Sequence, residues 1–355
     1  MKKKILIINP NQFGYSAGHK YYCEYLRNDF EIDYLCFDMN LEKITLHGVN
    51  VIYLPYNRNK ISRLLSFIFI SIKLSYKNKY NWLFIVRFKF IFLVALLSKA
   101  ENKLIDIRTG DLTSNIFIRK IRNLLTRIST IPFNKVITIS ENLKDLLKLP
   151  ESKTNIIPLG APIISSLNKS FEEFNLLYVG TLNKRRIEDT IIGVEKFYTE
   201  YGTKIKITYD IIGFGKNEDN IKKLITKFKM DNVIKFHGRK NHEQLKEFFD
   251  RTNIGVCYVP ITDFYDVQPS TKIFEYALSG LYTIATKTKE NIKYISEDNG
   301  VLCNDNSEDF YNALVHIYII RENIKSYKIR KTLLDYQWEN IVSKKLKPLL
   351  VKESL

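Results

Sequence analysis

"YVGTLNKRRIEDTI" (Tyr178 to Ile191) joins a strand to a helix through a turn at Gly180, and Lys184, Arg185 and Arg186 follow in quick succession. A turn of this kind leaves backbone N–H groups free at a helix N-terminus, and cations beside them complete a pyrophosphate site. The plain alternative is a solvated basic loop. The strand–turn–helix unit is also the repeating element of a parallel sheet, and it recurs along the whole chain. In the first half the segments rich in β-branched residues read "KILIIN", "IDYLCFD", "VNVIYLPY", "NWLFIVRF", "NKLIDIRT", "NKVITIS" and "TNIIPLG". In the second half they read "NLLYVGT", "KITYDIIGFG", "NVIKFHG", "IGVCYVP", "LYTIATK" and "GVLC". Helical patterns separate them. Between the halves, "APIISSLNKSFEEF" (Ala161 to Phe174) is polar and contains proline, as a linker does. The predicted fold class is α/β, two Rossmann-like domains facing each other across a cleft, with ligands at the carboxyl ends of the strands.

Composition agrees with that size and class. A chain of 355 residues, 45% hydrophobic and 13% aromatic, can fill two cores. Cys23, Cys36, Cys257 and Cys303 are scattered without a Cys-x-x-Cys pair, so no zinc ribbon, redox motif or disulfide framework is indicated, and a reducing cytosol is expected. The basic start "MKKKILIINP" meets Asn9 and Pro10 after a short apolar run; it reads as a first strand, not a signal peptide.

The net charge is +17, and part of it accompanies the most apolar sequence, Ile61 to Ala100. The uninterrupted apolar stretches there fall short of the roughly 20 residues that a spanning helix needs. Arg87 and Lys89 interrupt the second of them. A basic amphipathic surface with aromatics can dock on anionic headgroups, each cation near the surface contributing about 1 kcal/mol. Lys73, Lys77, Lys79, Arg87, Lys89 and Lys99 are the residues for such docking, and buried elements beside solvated lysines are the alternative.

Two further stretches bear on ligands. "DIIGFGKNED" (Asp210 to Asp219) begins like a dinucleotide fingerprint with Gly213 and Gly215, but Glu218 stands at the third glycine's place, so a tight turn is expected rather than an NAD site. "QPSTKIFEYALSG" (Gln268 to Gly280) is a helical pattern with apolar Ile273, Phe274, Ala277 and Leu278, Ser270 as N-cap and Gly280 as the stop. The helix start and Lys272 can receive a phosphate, and Glu275, one turn on, can accept hydrogen bonds from the vicinal hydroxyls of a ribose. Helix, lysine and glutamate read together as a nucleotide clamp.

With these segments in this order, followed by "VIKFHGRKNHEQLKEFF" and a late tryptophan in "YQWENIVSKKL", the sequence resembles the GT-B glycosyltransferases of family 4. The likeness spans almost all of the second half; in the first it extends in outline to "KILIINPNQFGYSAG", "LIDIRTGDL" and "VITISENLKDLL". It implies an acceptor-binding domain over 1–165, a nucleotide-sugar domain over 166–330, and a C-terminal helix, 331–355, crossing back to the first. Arg186 matches the lysine that binds the donor diphosphate. Thr181 stands where many members carry a second phosphate-binding arginine, for which Lys184 or Arg185 could compensate. Gly180 belongs to the phosphate turn and Gly213 to the donor-binding region. Ser270 and Thr271 open the clamp helix, and Gly238 and Arg239 fall where the base is recognised. Glu275 matches the second glutamate of the E-x7-E motif; Val267 replaces the first and can accept no hydrogen bond from the sugar. Asp266 or Gln268, which flank it, could restore an acceptor.

The resemblance further implies hexosyl transfer with retention through an oxocarbenium-like transition state, with Arg186, Lys272 and helix N-termini neutralising the leaving diphosphate. No Asp-x-Asp pair is present, so no metal is expected. No cofactor is implied either: the nucleotide-sugar, expected to be a UDP-sugar, is a co-substrate. Gly14 or Gly18 would let the backbone approach the donor phosphates; a helical pattern begins right after Gly18 and favours it, with His19 facing the cleft or else an ordinary exposed helix residue. Asp106, Arg108 and Asp111 lie at a strand end and resemble the acid-x-Arg segment of members acting on lipid-linked acceptors; an exposed Asp–Arg pair is the alternative. Trp338 is read as packing that anchors the crossing helix. The expected enzyme serves surface polysaccharide or glycolipid synthesis, cytoplasmic and peripheral on the inner face of the cell membrane. Two other classes share features with it. A nucleotide-sugar epimerase has the same architecture but would convert the sugar without an acceptor. A nucleic-acid-binding protein would explain the charge, but no RNA-binding, helix-turn-helix or zinc signature is present, and no nucleic-acid partner is expected.

Overall fold

The computed structural model describes residues 2–351 apart from Ala17, Asn57, Arg58, Leu112 and Ser114, with the backbone alone for His242. The chain divides into two compact units: unit 1 is Met1–Leu159 with Trp338–Leu355, and unit 2 is Gly160–Gln337. Lys352 to Leu355, the end of the expected crossing segment, and Leu112 of the "LIDIRTGDL" segment lie outside the described residues.

Unit 1 runs β1 (Lys3–Ile8), α1 (His19–Leu26), β2 (Phe30–Asp38), β3 (Val49–Pro55), α2 (Lys60–Lys77), β4 (Trp82–Val86), α3 (Ile91–Leu97), β5 (Asn102–Ile107), α4 (Ile116–Ile128), β6 (Lys135–Thr138), α5 (Glu141–Leu147) and β7 (Thr154–Ile156). All seven strands are parallel, in the order β3-β2-β1-β4-β5-β6-β7. The unbroken apolar runs of β1 and β4 suit strands covered on both faces: Ile5 to Ile8 and Trp82 to Ile85 are buried.

Unit 2 repeats the plan with β8 (Phe174–Thr181), α6 (Ile187–Tyr201), β9 (Ile207–Phe214), α7 (Glu218–Lys227), β10 (Ile234–Phe236), α8 (His242–Arg251), β11 (Ile254–Cys257), α9 (Thr271–Leu278), β12 (Tyr282–Thr286), β13 (Gly300–Cys303), α10 (Ser307–Ile320) and α11 (Ser326–Thr332). Its parallel sheet has the order β10-β9-β8-β11-β12-β13. The strand order reverses between β8 and β11, and a crevice at such a point is where an open α/β sheet receives a ligand.

The stretch expected to be a linker is part of unit 2. Backbone N–H groups of Ile164 and Ser165 donate to Ser279 Oγ at 3.2 and 3.3 Å, and that of Lys169 to Ser326 Oγ at 2.7 Å. The Lys169 ammonium donates to the carbonyls of Phe249 and Asp250 at 2.6 and 2.8 Å, and burial pushes it down to about 8. Polar, proline-containing sequence signals a lack of helix or strand, not a lack of partners; here side chains of the folded unit satisfy the extended backbone.

The chain returns to unit 1 at Trp338 rather than at 331. The last helical run, 338–351, packs on α1. Trp338 stacks on Tyr21 at 5.6 Å between ring centres, meets Tyr22 edge-on at 5.8 Å, and crowds Gly18 so closely that a Cβ there would lie 2.4 Å from the indole. The Trp82 indole donates to Leu350 O at 2.9 Å. Trp338→Ala would therefore empty a filled site in unit 1 and is expected to destabilise that unit by about 3–5 kcal/mol. Urea unfolding followed by the emission of Trp82, then the sole tryptophan, measures it; an unshifted midpoint would mean that the indole anchors nothing.

Candidate functional site

The reversal point of unit 2 gathers a cluster of charge. Strand alternation puts Tyr178 and Gly180 of β8 on one face. Lys272, in the first turn of α9, lies over them: its Nζ is 5.3 Å from the Tyr178 ring centre, and a Cβ on Gly180 would sit 2.9 Å from Lys272 Cε and 3.0 Å from its Nζ. Only glycine leaves that path open. Cys257, the last residue of β11, lies beside them and feels the charges of Lys272, Arg185 and Glu275.

The turn after β8 is sharply folded, with Lys184 and Arg186 both at left-handed φ (53° and 54°). This sends neighbouring side chains in different directions. Arg186, predicted to bind the diphosphate, instead reaches Asp189 at 2.9 Å and Asp305 at 3.3 Å. Arg185 is the cation that turns inward: its guanidinium covers the Tyr265 ring at 4.4 Å and its charge acts on Lys272 and Tyr178. Its buried Nε has no hydrogen-bond partner among the described residues. Lys184 and Thr181 are exposed, with the Thr181 carbonyl accepting from Tyr178 Oη at 2.7 Å.

Burial lowers the Lys272 pKa and the Arg185 cation lowers it further, while burial raises that of Glu275 against the pull of Lys272. Among the described residues neither Lys272 nor Arg185 forms an ion pair, and the Glu275 carboxylate has no hydrogen-bond partner. Two cations close together, with an acceptor within the same helix turn, form a site that an anion carrying hydroxyl groups would complete. Ser270 takes the N-cap position, as predicted, but its hydroxyl makes no capping bond; Thr271 follows as the first helical residue.

The remaining predicted donor residues spread outward from this centre. Gly213 lies opposite Gly180 in the sheet and donates its N–H to Gly238 O at 2.9 Å. Arg239, exposed, covers the Phe214 ring at 4.9 Å. Glu218 accepts the Gly215 N–H at 2.8 Å and closes the expected tight turn. Of the two candidates near Val267, Asp266 is bound on both oxygens by Lys289, through its N–H at 2.7 Å and its ammonium at 3.2 Å. Gln268 continues the short 3-10 turn Tyr265–Val267.

Unit 1 holds a second cluster. His19 is 1% exposed, which overturns the alternative of an ordinary surface residue. Its Nε2 meets Asp106 Oδ2 at 2.9 Å and its Nδ1 meets Ser16 Oγ at 2.8 Å. Arg108 Nε donates to the same Asp106 oxygen at 2.8 Å, and its guanidinium lies 5.1 Å from the Tyr22 ring centre. The Asp–Arg pair is thus buried, not superficial. Gly18 caps α1 at φ 84°, between Trp338 and Arg108; Gly14 packs on Ile44 instead. Asp111 stands apart, bound to Arg122 of α4 at 3.3 Å. Sequence reasoning missed Tyr178 and Tyr265. Tyr178 was findable as the same-face neighbour of Gly180; Tyr265 lies on a turn with no periodic signal.

Residues 163–331 match the family described as "Glycosyl transferases group 1". Among solved structures the chain is similar to the sucrose-phosphate synthase of Thermosynechococcus elongatus, with 16% identity over 98% of each chain and a TM-score of 0.76. A glycosyltransferase of Rickettsia africae aligns with 14% identity over 99% of this chain and 100% of that one, TM-score 0.73. Anabaena HepE in complex with UDP aligns with 12% identity over 98% and 99%, TM-score 0.72. At these identities the likeness is one of fold. No curated protein matches the chain in sequence. The fold is that of the GT-B glycosyltransferases, and unit 2 is a group 1 glycosyltransferase domain, so the protein is a glycosyltransferase.

The buried His19 carries a pH signature. Burial and then the Arg108 cation push its imidazole from 6.5 down to about 4, against Asp106. The unfolded chain therefore takes up the proton first as pH falls, and stability present above pH 6.5 is lost between 6.5 and about 4. The loss is expected to be on the order of 3 kcal/mol. His19→Gln should flatten the fall of Tm over that window; a variant as steep as wild type would place the proton uptake on another group.

Proposed function

We propose that the enzyme transfers a hexosyl group from a UDP-sugar bound by unit 2 to a saccharide or lipid-linked acceptor bound by unit 1, with retention, in surface polysaccharide or glycolipid synthesis. The observation that carries this reading is the unneutralised pair Lys272 and Arg185 beside the unpartnered Glu275, at the reversal point of the sheet. The diphosphate would lie across Gly180 against Lys272, Arg185 and the N-terminus of α9, and Glu275 would take the ribose hydroxyls. As the bond from the anomeric carbon to the diphosphate breaks, the diphosphate keeps the electron pair, and the fixed cations stabilise the growing charge. UDP as the carrier is supported by the relative HepE, solved with UDP and with UDP and glucose.

A lipid-linked acceptor has separate support in unit 1. Phe37, Phe67, Phe88 and Phe90 line a groove rimmed by Lys60, Arg63 and Lys89, which suits an amphiphile with an apolar tail and a phosphate. No described helix is long and apolar enough to cross a membrane. Lys73, Lys77, Lys79, Lys89 and Lys99 are exposed, as peripheral docking requires; Arg87 is turned inward, its Nη1 3.5 Å from Thr109 O, and leaves that set.

Glu275→Gln is expected to weaken UDP binding by about 1.5–3 kcal/mol, the range for hydrogen bonds to a charged group, with the fold intact. Calorimetry with UDP measures it, and an unchanged affinity would remove the ribose role.

Arg185→Ala is expected to lower kcat at least tenfold, about 1.4 kcal/mol of barrier, beyond its effect on UDP affinity. Arg186→Ala, which breaks only the pairs with Asp189 and Asp305, should cost less. An equal loss in kcat for Arg186→Ala would return the diphosphate to Arg186, with Asp305 as a partner displaced by the donor.

A further inference from the structure

Helix α4 is built inside out. Its polar residues face the protein: Thr126 is its one buried side chain, Asn123 Oδ1 accepts the Asp111 N–H at 3.0 Å, and Arg122 donates to Thr113 Oγ1 at 2.7 Å and pairs with Asp111. Its apolar residues face away. Leu124, Phe117, Ile128, Ile121, Leu125 and Ile118 form one continuous arc, all exposed, Phe117 by 72% and Leu125 by 58%; Ile131, just beyond the helix, is exposed by 71%. A surface helix of a soluble domain has the opposite arrangement, and an apolar patch of this extent marks a docking surface. Its occupant is indicated by charge. Lys120 and Arg127 border one edge of the arc and Arg122 the other, and the helix contains no acidic residue.

We propose that α4 lies in the plane of an anionic bilayer surface, its apolar arc among the acyl chains and its cations at the headgroups. A helix with this division, and too short to span, binds in that position. A second copy of this chain is a poorer match: a two-fold contact would bring the same bordering cations against each other with no carboxylate on the helix to meet them. Neighbouring elements extend the surface. The connections β3→β4, β4→β5 and β5→β6 all move the same way along the sheet, so right-handed crossovers put α2, α3 and α4 on one side of it. On that side α3 also exposes Phe92, Leu93, Leu96 and Leu97, and α2 exposes Ile61, Leu65 and Phe69. The proposal deepens the membrane reading above and rests on it, but not on the transfer chemistry.

The test uses the full chain with vesicles of phosphatidylcholine alone or mixed with phosphatidylglycerol. Phe117→Trp should show an emission blue shift with the mixed vesicles and not with the neutral ones, over the constant background of buried Trp82 and Trp338. The triple variant Phe117→Ser, Leu124→Ser, Ile128→Ser should lose at least tenfold in affinity for mixed vesicles while binding UDP as the wild type does, which confirms that it folds. Vesicle binding that survives the triple change but falls on charge reversal of Lys73, Lys77 and Lys79 would overturn the role of α4 and leave membrane docking to α2. No vesicle binding by the wild type would overturn both. A dimer in sedimentation velocity that the triple change dissociates would give the face to a second copy.

Discussion

The space above Gly180 governs the candidate site of unit 2. Because no Cβ stands there, Lys272 can cross from the first turn of α9 to the end of β8 and lie over Tyr178. The ammonium thereby reaches the point where the sheet reverses, where the Arg185 cation acts on it. The burial of Lys272 and its repulsion by Arg185 make the empty arrangement electrostatically unfavourable. A bound dianion would reverse that sign. The same low dielectric raises the Glu275 carboxyl, which gains its own stabilisation only when hydroxyl donors arrive. Donor affinity and donor polarisation would thus come from one feature of the backbone, not from separate binding and catalytic groups.

Unit 1 treats charge in the opposite way. Asp106 receives both His19 and Arg108 on one oxygen; burial alone would raise its pKa, but Arg108 and then His19 hold it below the usual value. His19 is kept neutral between Ser16 and Asp106. Asp106 ties His19 and Arg108 together, and Gly18 and Trp338 close over them, so the network joins the start of α1 to the end of β5. The last helical run belongs to the same construction, since its tryptophan supplies the cover. Unit 1 therefore depends for its polar centre on residues more than three hundred positions away from α1 in the sequence.

What the sequence revealed follows from which physical signals are local. Both sheets, the thirteen described strands and the helix from Thr271 to Leu278 were legible, because most of the strands are buried on two faces and carry unbroken apolar runs, and an amphipathic helix writes a period. The positions of Lys272 and Glu275 on that helix were legible for the same reason: an ionisable residue inside a period is conspicuous. Which of Arg185 and Arg186 turns inward was not, because it depends on left-handed backbone at Lys184 and Arg186, which has no glycine to announce it. Asp266 was equally opaque, since its partner Lys289 is supplied by a distant turn. The linker reading failed because sequence shows the absence of a period and not the presence of hydrogen-bond partners.

The charge of the chain illustrates the same limit. A net charge of +17 reads as a diffuse property, and the sequence draws attention to the lysines around the most apolar stretch. The folded chain separates these cations into kinds that sequence treats alike. Arg87 is inward, Arg186 is spent on two aspartates, Lys272 and Arg185 wait at the sheet reversal, and those of α4 border an apolar arc. In α4 the apolar residues have ordinary helical spacing, and a core helix would give the same pattern. Only the direction in which the helix packs, with Thr126 and Asn123 toward the protein, turns that pattern outward. Periodicity specifies that a helix has an apolar face; the neighbours alone decide which way that face looks.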